Sequence, residues 1–196
     1  MESSKTGRRP GTPQTKEAIL DAAVASFVQS GYAATTIRGV ARAADVDPAL
    51  VMHFFGSKDG LFDAALREAM PVRELSTVLA GDVSSLGARL TRRYLEVWES
   101  PETGPRIRAV VGSIASTPAA AQIMRDFVGG ELAAPLAKSL PCDQPEHRAI
   151  LAAAQLIGMA FARYLLAVEP IASMTVDELV IFVAPSVQRY LTGDLG

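Results

Sequence analysis

The strongest constraint on the fold is a run of short helical segments separated by turn signals over residues 15–62. In the first segment, predicted over residues 15–30, apolar side chains recur every three or four positions, as on one face of a helix. Gly31 follows this segment and is a typical residue for ending a helix. Alternating β-branched runs are scarce in the rest of the chain. These patterns together predict an all-α protein.

Two further short helices follow, each with its own start and stop signals. The second is predicted over residues 37–44 and the third from Pro48 to Phe55, with Pro48 at the first helical position, where its missing N–H is not needed. A fourth helix then runs to about Met70. The predicted N-caps are Thr36, Asp47 and Ser57, and the predicted turn and break are at Asp45 and Gly56.

The third helix has an unusual outer face. On a helical wheel, Val51, Phe54 and Phe55 point towards the other helices. The opposite side carries Ala49, Met52 and His53, with Pro48 and Leu50 at its edges. In a DNA major groove, Ala and Met contact thymine methyls and His donates to guanine. The pattern predicts a helix-turn-helix whose second helix reads bases; the alternative is a plain three-helix core without nucleic acid.

Candidate phosphate contacts flank this predicted reading helix. They are Lys58 at the start of the fourth helix, and Thr36 and Arg38 at the start of the second. Residues 1–14 are predicted to be a disordered basic arm, in which Lys5, Arg8 and Arg9 would contact phosphates. The whole chain has a net charge of −2. The prediction of DNA binding therefore depends on where the basic residues lie, and a basic arm that serves only solubility is the alternative.

Residues 16–62 resemble the DNA-binding domain of the TetR (tetracycline repressor-like) family. The resemblance is carried by ILDAAVASFVQSGYAATTIRGVARAADV and HFFGSKDGLF. It implies a homodimeric, ligand-responsive repressor that binds a near-palindromic operator in double-stranded DNA and is released by a small-molecule inducer. The chain departs from the usual family pattern at Asp45, where glycine is common, and at Met52 and Phe54. An operator sequence therefore cannot be transferred from relatives.

The rest of the chain, residues 71–196, is predicted to be a larger helical bundle for ligand binding and dimerisation, with residues 15–70 as a separate DNA-binding domain. Proline and glycine divide this bundle into segments. The predicted helices span residues 72–80, 84–99, 105–115, 118–138, 146–168 and 175–191.

The last two predicted helices have the pattern of a subunit interface. Residues 149–168 are apolar almost all round, and the final helix carries a long apolar stripe that Pro185 is predicted to kink. The resembled family usually dimerises through such a pair. The alternatives are a monomer and, for residues 149–168, a transmembrane helix, which Arg163 disfavours. The predicted interface residues are Ala154, Gly158, Ala162, Leu179, Val183 and Val187.

An effector pocket is predicted inside the bundle, and its ligand is expected to be largely apolar. Arg92, Arg93 and Arg163 are candidate anchors for an anion. The candidate lining residues are Tyr94, Trp98, Met124, Phe127, Met159 and Phe161.

Nothing in the sequence indicates catalysis. His53 and His147 are far apart, Cys142 has no evident base partner, and no cluster has the spacing of metal ligands. We therefore expect a cytoplasmic regulator that is not an enzyme and has no metal, cofactor or membrane contact. The alternatives are an activator, a corepressor-dependent regulator, or a helical ligand-binding module without DNA function.

Overall fold

A computed structural model describes residues 13–70, 72, 77–114 and 117–195. Within these ranges all regular structure is helical and no strand occurs. The all-α prediction is confirmed. The predicted basic arm with Lys5, Arg8 and Arg9 lies outside the described residues.

The first four helices follow the predicted order closely. Gly31 has φ 70° and ψ 174°, so it interrupts the first helix as predicted, and one more turn follows it. The three predicted N-caps all accept a hydrogen bond from the first turn of their helix. The helices are α1 Pro13–Ala34, α2 Ile37–Ala43, α3 Pro48–Phe55 and α4 Lys58–Ala69.

A small aromatic core holds these helices together. Phe27 of α1 and Phe62 of α4 meet edge to face with ring centroids 4.9 Å apart, and Tyr32 lies 5.0 Å from Phe62. Val40 of α2 and Val51 of α3 are fully buried in the same core. Burying each such side chain contributes roughly 1.5–3 kcal/mol. This core fixes α2 and α3 against α1 and α4, and so determines which face of α3 remains outside.

The C-terminal helices match most of the predicted bounds, but some predicted segments contain π-helical or 3₁₀ stretches. The predicted helix over 118–138 contains a π-helical stretch at Val128–Ala133, and residues 161–165 of the next predicted helix are also π-helical. The described part of predicted helix 72–80 includes a 3₁₀ turn, Thr77–Leu79. A second 3₁₀ turn spans Val83–Ser85. The helices are α5 Leu86–Glu99, α6 Gly104–Ile114, α7 Pro118–Phe127, α8 Ala134–Ser139, α9 Pro145–Ala160 and α10 Val176–Thr192.

The final helix, α10, packs closely along α5. A Cβ atom at Gly87 would lie 2.7 Å from the backbone nitrogen of Gln188, so only glycine allows this approach. The Gly87 N–H donates to the side-chain oxygen of Gln188 at 2.6 Å. Pro185 lies inside α10, which continues as a single helix to Thr192.

A buried arginine ties the end of α10 to the start of α9. Arg148 has a side chain only 8% exposed and forms a 2.8 Å ion pair with Asp143. It also donates to the backbone carbonyls of Tyr190 and Gly193. These bonds satisfy both the charge and otherwise open carbonyls at a helix end.

One helical stretch, Pro145–Leu165, is long and apolar enough to span a membrane by length and composition alone. Its mean hydropathy is 1.2. Ala149, Ala152 and Ala160 on this stretch are fully buried in the protein core. Arg163 lies near its end and pairs with Glu99 of α5 at 2.8 Å. The core helix of a soluble protein also meets the same criteria of length and composition.

Candidate nucleic-acid interface and effector cavity

Local hydrogen bonds set the ends of the helix-turn-helix. Thr36 Oγ1 accepts from the Gly39 N–H at 3.0 Å and so begins α2. Asp47 Oδ1 accepts from the Ala49 N–H at 2.8 Å and begins α3, with Pro48 in the first turn. Each cap satisfies a backbone donor that the helix itself leaves open.

The turn between α2 and α3 is tight. Asp45 has φ 52°, the left-handed conformation that aspartate tolerates better than most residues. The Val46 N–H then donates to the Ala41 carbonyl at 3.0 Å. The departure from glycine at position 45 is therefore compatible with the turn.

The connection between α3 and α4 depends on two glycines, one of which the sequence reasoning did not identify. Gly56 ends α3 with φ 72° and ψ −42°, a positive-φ conformation that glycine adopts without steric cost. Gly60 matters for a different reason: a Cβ atom there would lie 2.2 Å from the Phe55 carbonyl oxygen. The start of α4 thus touches the end of α3 directly.

The outward face of α3 is the predicted one. Val51 is fully buried and Phe54 and Phe55 pack partly against the core. Met52 is 45% exposed. Leu50, predicted at the edge, is partly buried against the core. The remaining predicted DNA contacts are exposed at the same end of the molecule: Pro48, Ala49 and His53 on α3, and Thr36 and Arg38 at the start of α2. Their roles at DNA remain predictions.

Lys58 is held in place by its neighbours. Its ammonium group donates to the Ala33 carbonyl at 3.1 Å and lies 4.5 Å from the centre of the Tyr32 ring. The Tyr32 hydroxyl donates a hydrogen bond to Asp59. The pKa of Tyr32 is raised to about 12, mainly by burial and to a lesser extent by the Asp59 carboxylate. An ammonium group has three N–H donors, so Lys58 retains donors for a phosphate.

Two further basic residues lie close to this surface. Lys16 of α1 lies 5.9 Å from the Phe55 ring centre, at the C-terminal end of α3. Arg42 is exposed in the last turn of α2. Both are positioned to widen the basic edge around α3, although neither was among the predicted contacts.

A cavity of about 90 Å³ lies in the C-terminal bundle, beside the end of α4. Its walls come from α5, α8, α9, the π-helical Val128–Ala133, the first 3₁₀ turn and Val72. Nearly all of this lining is apolar. Glu131 is the one charged side chain among the described lining residues. The lining residues are Val72, Leu79, Leu90, Tyr94, Glu131, Leu132, Pro135, Leu136, Ala153 and Leu156.

Only one of the six predicted ligand contacts, Tyr94, lines this cavity. Trp98 lies behind it, 6.1 Å from Tyr94 between ring centres, and stacks on Tyr164. Phe127 is completely buried elsewhere in the core, and Phe161 is 46% exposed on the surface. Met124 is partly buried outside the cavity, and Met159 lines a different groove. Large apolar side chains are typical of both a core and a ligand pocket, and the sequence does not show which helices enclose the cavity.

The three candidate anion anchors are paired with acids away from the cavity. Arg92 pairs with Asp177 at 2.7 Å, Arg93 with Glu96 at 3.2 Å, and Arg163 with Glu99. The charge that does line the cavity is the negative one of Glu131. The expectation of an anion anchored by these arginines is not supported by their positions.

An open groove of about 700 Å³ runs between α9 and α10. Four of the predicted interface residues, Ala154, Gly158, Ala162 and Val183, line it. The other two, Leu179 and Val187, are 2% exposed and fully buried within the same chain, so they have no surface left for a partner to cover. The side chains that project outward are instead Ile181 and Phe182, which are 68% and 69% exposed.

Comparison with known proteins identifies the family to which this chain belongs. Residues 19–65 match the model for bacterial regulatory proteins of the tetR family, and residues 84–191 match the tetracyclin repressor-like C-terminal domain. A TetR-family regulator from Streptomyces coelicolor A3 is 32% identical and superposes with a TM-score of 0.70, over 94% of this chain and 98% of that one. The chain belongs to the TetR family.

Two other known proteins are also similar to this chain. The HTH-type transcriptional regulator BetI of Paraburkholderia phymatum is 28% identical over 109 residues, covering 46% of this chain and 56% of that protein. The chain therefore matches about half the length of this curated relative. The multidrug binding protein EbrR, in complex with imidazole, has a TM-score of 0.68 at 23% identity over the full length of both chains. That similarity supports the fold of the TetR family alone.

The TetR family is one of transcriptional regulators. Among the described residues, no group of three His, Cys, Asp or Glu side chains is arranged to hold a metal ion. The Cys142 thiol contacts the Leu191 carbonyl at 3.3 Å.

Proposed function

We propose that this chain is a ligand-responsive transcriptional repressor that binds a near-palindromic operator as a homodimer. The observation that carries the proposal is the outer face of α3, which combines exposed Met52 and His53 with small residues in a capped helix-turn-helix. Such a face approaches base edges closely, while charged side chains around it bind phosphates. Membership of the TetR family and the similarity to BetI, named as a transcriptional regulator, support this proposal.

The dimer is proposed to form through α9 and α10. The groove between them is lined by small residues on α9 and by Phe182 of α10, and the neighbouring Ile181 is also exposed. Exposed apolar side chains around a concave apolar surface are typical of a protein interface. A twofold dimer would place the two α3 helices about one helical turn of DNA, or a multiple of it, apart.

The effector is proposed to bind in the cavity beside α4. Val72, three residues after the end of α4, forms part of its wall, so a bound molecule would contact the chain just beyond the helix that adjoins α3. The effector releases DNA if it binds the DNA-incompetent conformation more tightly. A cytoplasmic location follows from a DNA partner, and the three proposed regions remain the arm 1–14, the reader 15–70 and the bundle 71–196.

The experiment is operator selection with the purified protein, followed by binding measurements on reader variants over a series of salt concentrations. Met52→Ala combined with His53→Ala should weaken operator binding by roughly 1–3 kcal/mol and reduce its selectivity, since base contacts are lost. Lys58→Ala should weaken all sequences similarly and reduce the salt slope by about one per half-site.

Matched controls come from the C-terminal bundle. His147→Ala and Lys138→Ala remove the same chemical groups at exposed positions far along the chain, and both should bind DNA like wild type. If the reader variants bind the selected operator as tightly and selectively as wild type, α3 does not read DNA. A protein that selects no DNA sequence at all would be a helical ligand-binding module.

A further inference from the structure

The cavity beside α4 is lined by apolar side chains and, among the described residues, by a single charged one. Its described lining is apolar on most sides, with leucines from five elements and the ring of Tyr94. Burial raises the pKa of Tyr94, so its hydroxyl stays neutral near neutral pH. The carboxylate of Glu131 is therefore the only formal charge that these residues offer to a ligand.

Glu131 already has a cationic partner, and that partner belongs to α4. Arg67 forms an ion pair with Glu131 through one guanidinium nitrogen and with Asp63 through another at 2.9 Å. The side chains of Arg67 and Glu131 are 45% and 41% exposed. An ion pair this exposed is weak, because water screens it and two long side chains must be held in one geometry. A ligand can displace Arg67 from Glu131 while Asp63 continues to hold it.

Glu131 lies on the solvent side of the cavity, because its side chain lines the cavity and is 41% exposed. It belongs to the π-helical Val128–Ala133. Single π-helical turns inside α-helices are frequent at functional sites. A cavity of roughly 150 Å³ holds a benzene ring. The enclosed volume here, about 90 Å³, takes only part of such a ring, so the rest of the ligand, including its charged group, would remain at the open side beside Glu131.

We propose that the effector is a small apolar monocation, whose apolar part enters the cavity and whose charge pairs with Glu131 in place of Arg67. The regulatory half of this inference rests on the proposed function, while the binding half does not. Releasing Arg67 removes a contact between α4 and the π-helical segment, and Val72 is touched by the same ligand. Both changes act on the end of α4 that is remote from α3.

Three probes of similar shape and different charge test the binding half by isothermal titration calorimetry. Benzamidinium is a planar cation that can form paired hydrogen bonds with a carboxylate, benzamide is its neutral counterpart, and benzoate is an anion. Wild type should bind benzamidinium about threefold to tenfold more tightly than benzamide, with benzoate weakest. Glu131→Gln should bring benzamidinium and benzamide to equal affinity.

A second variant distinguishes displacement of Arg67 from a general effect of charge. Arg67→Met removes the competitor and keeps the apolar stem, so benzamidinium should bind about two- to fivefold more tightly while benzamide is unchanged. Glu68→Gln is the matched control, because it removes a neighbouring exposed carboxylate that does not line the cavity. It should leave the preference for benzamidinium intact.

The proposal is overturned if wild type binds benzamidinium and benzamide equally, if it binds none of the probes, or if Glu131→Gln keeps the preference. A second measurement, operator occupancy with increasing benzamidinium, separates this from the proposed function. Occupancy should fall for wild type, and Glu131→Gln should need about threefold to tenfold more benzamidinium for the same fall. If the protein prefers the cationic probe but selects no DNA sequence, the proposed repressor function is refuted and the proposed cation site is supported. If it binds an operator but shows no charge preference among the probes, the cation site is refuted and the repressor function is supported.

Discussion

Replacing Phe182 with aspartate should separate the proposed dimer. An aromatic side chain buries about 150–250 Å² when fully covered. Since 69% of Phe182 is exposed in the single chain, roughly 100–170 Å² is available for a partner to cover. At about 25 cal/mol per Å² this amounts to about 3–4 kcal/mol per subunit, and a twofold interface contains the residue twice.

The variant also places a charge in an apolar groove, which adds a desolvation cost. Incomplete coverage reduces the area that is lost. We therefore expect the dimer dissociation constant to rise at least about a thousandfold, which is about 4 kcal/mol. Because Phe182 makes the outer edge of the groove and not the core, the fold of the single chain should be unaffected.

Sedimentation velocity over a wide concentration range measures this directly. Wild type should sediment as twice the 20.7 kDa chain at micromolar concentration and the variant as the single chain. Val28→Asp is the control, because Val28 is 43% exposed on α1 and does not line the groove. Circular dichroism should show equal helix content in all three proteins.

A variant at Phe182 that remains dimeric at wild-type concentrations would refute this reasoning. The groove between α9 and α10 would then not be the interface, and the expected spacing of the two α3 helices would lose its basis. A wild type that sediments as a single chain would refute it as well.

Two further predictions concern the DNA-binding end. Gly60→Ala should lower the free energy of unfolding by about 2 kcal/mol or more, because its Cβ would lie 2.2 Å from the Phe55 carbonyl oxygen. Urea unfolding measures this against Gly112→Ala, which has open space around it and should be neutral or slightly stabilising; equal values for the two would contradict the contact. Since the pKa of Tyr32 is raised from 10.0 to about 12, its contribution to stability is complete below pH 10 and is lost as pH rises towards 12. Tyr32→Phe should therefore reduce the pH dependence of unfolding in that interval, and an unchanged dependence would contradict the shift.

The local features of the N-terminal helices were predictable because they depend on neighbouring residues. Thr36, Asp47 and Ser57 each cap a helix by bonding an N–H two or three positions away. The position of Pro48 and the outer face of α3 follow from the same short-range geometry. The contact of Gly60 with Phe55 was missed, because nothing in the sequence shows that α4 starts so close to α3.

The cavity and the interface were less predictable because they depend on which helices pack together. The apolar stripe of α10 includes both Leu179, buried against the same chain, and Val183, which lines the open groove. A stripe shows that a face is covered but does not show by what. Because the sequence does not show which residues face a cavity, it predicts Phe127 as a ligand contact and does not predict Glu131. An exposed glutamate in a helical segment has no sequence signal that places it beside a cavity.

One end of α4 contacts the proposed DNA-reading helix and the other contacts the segment beside the cavity, so α4 connects the two proposed sites. At its start, Gly60 packs against the Phe55 carbonyl of α3, and Lys58 donates a hydrogen bond to the Ala33 carbonyl. Near its end, Arg67 forms an ion pair with Glu131. With 12 residues, α4 is about 18 Å long and is stiff over that distance. On the proposed mechanism, a displacement at Arg67 would move α4 as a rigid rod and α3 with it. In a twofold dimer the two rods would move in related directions, so a shift too small to disturb either reader would still change the distance between them.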